Sequence, residues 1–117
     1  LLDFGAWVNC VDSLGLTPLW YAVAGSHLES VQKLLAAKAD TEIFDDNGKG
    51  LLHQACLNDT GSIAGLLIDY GANIEATNSA GNTPLHVACS RNSRECARWL
   101  LMRGADRTKV NKSSQTP

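Results

Sequence analysis

Gly81-Asn-Thr-Pro-Leu-His-Val-Ala-Cys89 is the stretch of sequence that decides the fold, because related stretches precede it at a fixed interval. Thirty-three residues earlier the chain reads Gly48-Lys-Gly-Leu-Leu-His-Gln-Ala-Cys56. Another thirty-three residues earlier it reads Gly15-Leu-Thr-Pro-Leu-Trp-Tyr-Ala-Val23. A self-similar period of this length is typical of a solenoid, in which each unit packs only against its neighbours. The sequence therefore predicts a stack of repeats rather than a domain with one central core.

Each unit combines the signals of a tight turn and two short helices. In the third unit, Asn78 opens the turn, Thr83 supplies a helix cap and Pro84 fills the first helical position, where a missing N–H is harmless. Apolar residues at three- to four-residue spacing mark a second helix, which Gly104 ends in a left-handed cap. First helices are predicted at 18–24, 51–57 and 84–90, second helices at 28–37, 62–70 and 94–103, and an extended finger after each pair.

This pattern resembles the ankyrin-repeat family, whose units share the period and a Thr-Pro-Leu-His core. The resemblance covers the whole chain and implies an all-α solenoid of helix–turn–helix units joined by β-hairpin-like fingers. Complete units are predicted at 12–44, 45–77 and 78–110, with partial units at 1–11 and 111–117. Because both ends fall inside a unit, residues 1–117 are expected to be an excerpt of a longer array.

The second unit departs from the pattern at three positions. Gly50 stands in place of the capping threonine, and Leu51 stands in place of the proline. Gly65 lies within the second helix, where glycine costs about 1 kcal/mol relative to alanine. The central unit is therefore expected to be the least stable of the three.

Several longer stretches are similar to the ankyrin domain of Shank-type synaptic scaffolds. They include Asp12-Ser-Leu-Gly-Leu-Thr-Pro-Leu19, Tyr70-Gly-Ala72, Asn78-Ser-Ala-Gly-Asn-Thr83 and Ser114-Gln-Thr116, whereas Gly48-Lys-Gly-Leu51 departs from that family. The resemblance implies a cytoplasmic scaffold beneath the membrane, at the postsynaptic density and the cytoskeleton. It also implies protein partners such as Sharpin and the spectrin-type protein fodrin.

Charge is divided unevenly along the chain. The net charge is −2, yet residues 1–77 carry three basic and ten acidic residues, and residues 78–117 carry seven basic and two acidic residues. Since sequence order is spatial order in a linear stack, we predict an acidic end and a basic end. The acidic majority and the few aromatic residues argue against nucleic acid as a partner. No apolar run reaches the roughly 18 residues of a membrane helix, so membrane insertion is not expected.

No combination of residues predicts an enzyme, a cofactor or a metal site. His53 and His86 share one repeat position, where Trp20 stands in the first unit. The ankyrin resemblance implies that an imidazole at this position hydrogen-bonds the backbone of the adjoining turn rather than acting in catalysis. Cys56 and Cys89 also share a position and are expected to be small buried hydrophobes. Free thiols in a reducing compartment are therefore predicted. The cysteine and histidine spacings do not fit a zinc site.

The ankyrin resemblance implies that the finger tips and the exposed side of the first helices form a concave face that binds a protein partner. The expected partner-binding residues are Leu14, Leu16, Tyr21, Asp46, Asn47, Lys49, Gln54, Leu57, Val87 and Arg91. The first three are apolar at positions where solvent favours polar side chains. The predicted function is a non-catalytic interaction module of an intracellular scaffold or adaptor, monomeric as a domain. The alternative is an autoregulatory module whose face packs against a neighbouring domain of the same chain.

A second candidate surface is basic. Arg91, Arg94 and Arg98 recur at three- and four-residue spacing, and further basic residues follow at Arg103, Arg107, Lys109 and Lys112. This cluster suits a docking site for an acidic peptide, a phosphate or a lipid headgroup. The alternative is an ordinary solvated outer face.

Overall fold

The computed structural model describes residues 8–13 and 15–117, which form three stacked helix pairs. The helices are α1 Pro18–Ala24, α2 Leu28–Ala36, α3 Leu51–Leu57, α4 Gly61–Asp69, α5 Pro84–Ser90 and α6 Arg94–Met102. The first helix of each pair has the predicted bounds, and each second helix ends one residue earlier than predicted. Residues 1–7, which make up most of the predicted partial unit 1–11, and Leu14 lie outside the described residues. In the described part of the chain, no helix is long and apolar enough to cross a membrane.

The fingers between the helix pairs are tight turns, so the predicted all-α class is confirmed. Among the described residues, the one isolated β-bridge joins Phe44 and Gly50 in antiparallel fashion. In the second finger, the amide of Asp45 donates to the carbonyl of Lys49 at 3.0 Å. The amide of Gly48, at φ 73°, donates back to the carbonyl of Asp45 at 3.0 Å. A positive φ strains a residue that has a Cβ. Glycine has none and adopts this conformation readily, which explains the glycine at this position.

The start of each first helix is set by its own sequence. Thr17 and Thr83 accept hydrogen bonds from backbone amides three residues ahead, as predicted for N-caps. Gly50 has no such side chain, but its amide donates to Nδ1 of His53 at 3.1 Å, as the amide of Thr83 donates to Nδ1 of His86. The ring of Phe44 covers Gly50 so closely that a Cβ there would lie 3.0 Å from a ring carbon. The second unit thus keeps the histidine bond but lacks the threonine cap, and Phe44 packs over the glycine that stands in its place.

The contact between α4 and α6 depends on two glycines. A Cβ on Gly65 would lie 2.6 Å from Cε3 of Trp99, and a Cβ on Gly61 would lie 2.5 Å from Cδ1 of the same ring. The guanidinium of Arg103 stands 5.3 Å from the centroid of a Trp99 ring and pairs with Asp69 on α4. Gly65 therefore has a packing role beside its cost in helix propensity, because the absence of a side chain admits the indole of the next unit.

Backbone hydrogen bonds hold successive fingers in register. The amide of Ser79 donates to the carbonyl of Asn47 at 2.9 Å, and the amide of Lys112 donates to the carbonyl of Ala80 at 3.0 Å. A second row lies beyond each second helix, where one unit's amide donates to the preceding unit's side chain. In this row the amide of Asp40 donates to the side chain of Asn9 at 2.8 Å, that of Asn73 to Glu42 at 3.0 Å and that of Asp106 to Glu75 at 2.7 Å. Both rows repeat with the sequence period and fix the geometry of the stack.

The cysteines are free thiols in two different environments. Cys56 and Cys96 are buried between the second and third helix pairs, and Sγ of Cys96 donates to the carbonyl of Ala55 at 3.3 Å. Cys89 is exposed, so its expected burial is wrong. It shares the repeat position of Cys56, but in the described residues the third helix pair has a neighbouring pair on one side only.

Candidate interaction surface

The fingers present a fixed backbone to solvent. In the second finger, Oδ1 of Asp45 accepts hydrogen bonds from the amides of Asn47 and Lys49 at 2.9 and 2.8 Å. In the third finger, Oδ1 of Asn78 accepts from Ala80 and Asn82 at 2.9 and 3.1 Å. These bonds satisfy the turn internally, so the tips need little further ordering when another molecule binds.

Tyr21 is the principal aromatic side chain on this face. Its side chain is 48% exposed, and its hydroxyl donates a hydrogen bond to Oδ2 of Asp12 at the base of the first finger. The other carboxylate oxygen of Asp12 accepts from the amide of Leu16 at 3.1 Å. The hydrogen bond to Asp12 raises the pKa of Tyr21 above its ordinary value, since it stabilises the protonated phenol. The carboxylate thus fixes the ring against the finger.

A shallow cleft of about 230 Å³ runs beside this ring. Its lining residues are Cys10, Val11, Asp12, Leu16, Thr17, Pro18 and Tyr21. Leu16 is half-buried and packs against the core, whereas Val11 is 63% exposed. The cleft is mostly apolar with one carboxylate at its edge, which suits an apolar side chain of a partner that carries a polar neighbour.

The remaining predicted surface residues fall into groups by exposure. Asp46, Asn47 and Arg91 are exposed like Tyr21, and Lys49, Gln54 and Leu57 are half-buried like Leu16. The ammonium of Lys49 is held 5.8 Å from the centroid of a Trp20 ring and 3.9 Å from Oδ2 of Asp45. Leu14 lies outside the described residues.

Val87 contradicts its predicted role as an exposed first-helix residue. Its side chain is only 9% exposed and belongs to the hydrophobic core, although Tyr21 at the same repeat position is 48% exposed. The phenol ring of tyrosine extends past the helix to reach Asp12, whereas the short branched side chain of valine stays within the core. The apolar stripe on this face therefore does not continue through Val87.

Three exposed apolar residues on the fingers were missed by the sequence analysis. They occupy the position immediately before each finger's opening residue, and they are Val11, Phe44 and Val110, at 63%, 43% and 56% exposure. Thr77 stands at this position in the third finger. The 33-residue period of the sequence could have identified these residues. An apolar residue that recurs at one exposed repeat position forms an apolar row along the array.

The histidines have a structural role that involves both ring nitrogens. Nε2 of His53 donates to the carbonyl of Asn82 at 2.8 Å, and Nε2 of His86 donates to the carbonyl of Gln115 at 2.9 Å. Each Nδ1 accepts from the amide that starts its own helix. Burial lowers the pKa of His53 below its ordinary value, which favours the neutral imidazole that this pattern requires.

A second cleft among the described residues does not include any of the predicted partner-binding residues. It measures about 440 Å³ and lies between α5 and the last finger, beside His86, Cys89 and Gln115. His86 is engaged in the bonds described above, and Cys89 is an exposed free thiol. Within residues 8–13 and 15–117, no group of three histidine, cysteine or acidic side chains is arranged to hold a metal ion.

Comparison with known proteins agrees with this architecture. A protein-family model described as "Ankyrin repeats (3 copies)" matches residues 1–78 and 27–112. The human SH3 and multiple ankyrin repeat domains protein 2 is 40% identical over 84 residues, which is 71% of this chain and 4% of that protein. This similarity agrees with the resemblance to Shank-type scaffolds.

Two further human relatives contain similar stretches. Ankyrin repeat and SOCS box protein 16 is 38% identical over 85 residues, or 66% of this chain and 19% of the relative. Protein phosphatase 1 regulatory subunit 27 is 40% identical over 70 residues, or 60% of this chain and 46% of the relative. The chain thus spans less than half the length of each of these relatives. The stacked helix pairs, the repeated cap and finger geometry and the family match together show that this chain belongs to the ankyrin-repeat family.

Proposed function

We propose that the chain is a non-catalytic protein-interaction module whose finger and first-helix face binds a protein partner. Ankyrin repeats generally mediate protein–protein interaction, and this chain presents an apolar cleft at that face. The observation that carries the proposal is the exposed pair Val11 and Tyr21 beside half-buried Leu16, with Asp46 and Asn47 on the next finger. Exposed apolar side chains with a polar margin are the usual anatomy of a protein interface.

Tyr21 is the proposed energetic centre of this face. Tyrosine is enriched among the residues that contribute most to binding, because a rigid ring buries a large area with few rotatable bonds. The hydrogen bond to Asp12 already selects one orientation of the ring. A partner that covers this ring therefore loses less side-chain entropy than it would with a freely rotating tyrosine.

The setting we propose is an intracellular scaffold or adaptor. The relatives' names pair ankyrin repeats with an SH3 or a SOCS box element, or describe a phosphatase regulatory subunit. A cytoplasmic, postsynaptic location and Sharpin- or fodrin-like partners belong to the Shank resemblance and are proposed on that basis alone. In the autoregulatory alternative, the same face binds a neighbouring domain of the same protein instead of a separate partner.

The test is affinity capture from cell lysate with two matched baits. The first carries Val11→Lys and Tyr21→Lys, which place two positive charges at exposed positions. The lysine at position 21 can pair with Asp12, which the tyrosine hydroxyl contacts in the wild type. The control carries Gln32→Lys and Ala36→Lys on the exposed side of α2, which add the same charge away from the proposed face. Both baits must first match the wild type in circular dichroism and thermal unfolding.

The proposal predicts that the wild type and the α2 control retain the same specific proteins and that the Val11/Tyr21 variant loses them. Retention of an identical set by all three baits contradicts the proposed face. If nothing is retained by any bait, a version carrying its natural flanking domains decides between the alternatives. A neighbouring domain that releases the Val11/Tyr21 variant but holds the wild type then supports autoregulation.

A further inference from the structure

The interface between the second and third units contains a pair of buried thiols. Cys56 on α3 and Cys96 on α6 are both 0% exposed. The Cys56 thiol donates a hydrogen bond to Sγ of Cys96. Sγ of Cys96 in turn donates to the carbonyl of Ala55 at 3.3 Å. Two sulfur atoms from different units are therefore already in contact in the folded chain.

Packing alone does not require sulfur at these two repeat positions. One period earlier in the sequence, the corresponding residues are Val23 and Ile63, which are 0% and 1% exposed. Two aliphatic side chains are thus buried at the same positions in the preceding units. The thiol pair gives the interface of the second and third units a chemistry that aliphatic side chains lack.

The folded environment suppresses the reactivity of Cys56. The hydrogen bond to Cys96 and burial raise the pKa of the Cys56 thiol above its ordinary value, and the carboxylate of Asp59 acts in the same direction. Asp59 is held nearby, since its Oδ1 accepts from the amide of Cys96 at 3.3 Å. Because the thiolate is the form that reacts with oxidants, the closed interface protects the pair. Local opening of the interface removes the burial and the hydrogen bond, so it restores an ordinary thiol.

We propose that Cys56 and Cys96 form a peroxide-sensitive site, whose oxidation to a disulfide during transient opening joins the second and third units covalently. The thiolate of one cysteine attacks an oxygen of hydrogen peroxide and breaks the O–O bond. This step gives a sulfenic acid, and the released hydroxide takes up a proton and leaves as water. The second thiol attacks the sulfenic sulfur, forms the S–S bond and releases a second water. The two cysteines together lose two electrons and two protons, which reduce one peroxide to two waters.

The disulfide stabilises the folded array because of the loop that it closes. Two thiols in hydrogen-bond contact need only a short approach to reach the sulfur–sulfur bond length of about 2.05 Å. The bond closes a loop of about 40 residues, which runs from α3 through the rest of the second unit to α6. It therefore restricts the unfolded state and couples two neighbouring units of a linear array.

Cys89 is a third cysteine near this pair. Its effect on the pKa of Cys56 is smaller than that of Cys96 and purely electrostatic. The hydrogen bond of Cys56 goes to Cys96 instead, so the expected disulfide joins Cys56 to Cys96. This site does not depend on partner binding at the finger face described above.

The experiment follows oxidation of the intact chain by hydrogen peroxide at neutral pH. The reference protein carries Cys10→Ser/Cys89→Ser, so the proposed pair supplies its remaining thiols. The matched control adds Cys56→Val, which introduces the residue found at the same repeat position in the first unit. Both proteins must match the wild type in circular dichroism and thermal unfolding when fully reduced. Free-thiol titration, peptide mapping by mass spectrometry and thermal unfolding are measured before oxidation, after it and after addition of dithiothreitol.

A further variant tests whether opening of the interface controls the reaction. Trp99→Ala in the reference background removes the indole that packs on Gly65, so it weakens the contact between α4 and α6. We expect its cross-linking to be at least about fivefold faster. Met102→Ala, at an exposed position of α6, is the control and should leave the rate unchanged. An equal rate in Trp99→Ala and the reference protein overturns the role assigned to opening.

We expect the oxidised reference protein to yield a linked Cys56–Cys96 peptide that dithiothreitol cleaves, and to melt at least about 5 °C higher than the reduced form. The wild type should give the same linked peptide, and the Cys56→Val control should form no link and keep its melting temperature. Oxidation to sulfinic or sulfonic acid without a cross-link overturns the proposal. A disulfide that lowers the melting temperature, or a wild-type link through Cys89, also overturns it. Thiols that stay reduced even in Trp99→Ala would show that the pair only fills space.

Discussion

The third position of each first helix shows how one residue links a unit to the next. His53 and His86 reach the following finger by donating to a backbone carbonyl. Trp20 occupies this position in the first unit and is 94% buried from solvent, since its exposed fraction is 6%. There the ammonium of Lys49, in the following finger, lies 5.8 Å from the centroid of a Trp20 ring. A cation–π contact thus takes the place of the histidine bond.

The neutral state of His53 predicts a pH dependence of stability. Burial lowers its pKa in the folded state, so the unfolded state binds more protons below its own pKa of about 6.5. The stabilisation by this group is therefore complete above that pH and is lost as the pH falls toward the folded pKa. We expect a lower midpoint of urea unfolding at mildly acidic pH than at neutral pH. His53→Gln should unfold more easily at neutral pH but show a smaller decrease on acidification. An equal decrease in both proteins would contradict this assignment.

Gly65→Ala should destabilise the chain, although helix propensity alone predicts a gain of about 1 kcal/mol. The added Cβ would lie 2.6 Å from Cε3 of the Trp99 indole, and forced overpacking of this kind costs about 1–3 kcal/mol. Urea unfolding monitored by circular dichroism measures the change in free energy of unfolding. Ser62→Ala, at an exposed position of the same helix, serves as the control and should change stability little.

A double-mutant cycle isolates the cause. In a Trp99→Ala background the indole is gone, and Gly65→Ala should become neutral or stabilising by up to about 1 kcal/mol. If Gly65→Ala stabilises the chain that retains Trp99, the glycine is not needed for close approach. The original expectation, that Gly65 simply weakens α4, would then be correct.

Among the elements, the fingers show most clearly how geometry restricts sequence. Gly15, Gly48 and Gly81 take positive φ at the same place in the first three turns. In the fourth turn this place is held by Ser114, at φ 61°. The turn forms nevertheless, because the amide of Ser114 donates to the carbonyl of Asn111 at 3.0 Å. The hydrogen bonds of the turn therefore offset the strain of a side chain in the left-handed region.

Ser114→Gly should stabilise the chain by about 0.5 kcal/mol, since relief of left-handed strain exceeds the greater entropy of glycine in the unfolded state. Ser113→Gly is the matched control, because the neighbouring serine does not have positive φ and gains nothing from glycine. We expect the control to be slightly destabilised. Thermal unfolding of both variants measures the difference, and an equal loss of stability in the two would show that the fourth turn stores no strain.

How far an element could be predicted depends on the range of the interactions that define it. The first helices have the predicted bounds because Thr17, Thr83 and the prolines that follow them act within one turn of chain. The role of Gly65 and the burial of Val87 could not be predicted, since each depends on packing that single residues do not reveal. The exposed row of Val11, Phe44 and Val110 was available from the period but required knowing which side of the finger faces solvent.

At the scale of the whole molecule, neighbouring units are coupled through a few defined contacts. The described residues form an elongated body of 50 × 27 × 20 Å, in which the finger rows and the α4–α6 contact connect adjacent units. In such a linear array, stability is the sum of unit terms and nearest-neighbour interface terms. Weakening one interface should therefore reduce the cooperativity of unfolding as well as its midpoint.

Trp99→Ala should divide the unfolding of the array. Removal of the partly exposed indole takes away its contacts with Gly61 and Gly65 and should cost about 2–3 kcal/mol, less than a fully buried aromatic side chain and mostly at the interface of the second and third units. Hydrogen exchange measured by mass spectrometry should show faster exchange in residues 84–117 than in residues 18–57, whereas the wild type should exchange more uniformly. Met102→Ala, at an exposed position of α6, is the control. Uniform acceleration along the chain would indicate that the units unfold as one body.

The most direct test of the central claim is hydrogen exchange of the chain, measured with and without a partner that the wild-type chain has retained in affinity capture. If this face is the recognition surface, the partner should slow exchange in the fingers at 12–16 and 45–49 and in α1 and α3. The amides of α6 should exchange as in the free chain. Protection confined to α6, or no protection at the fingers, would contradict the assignment of partner binding to the finger and first-helix face.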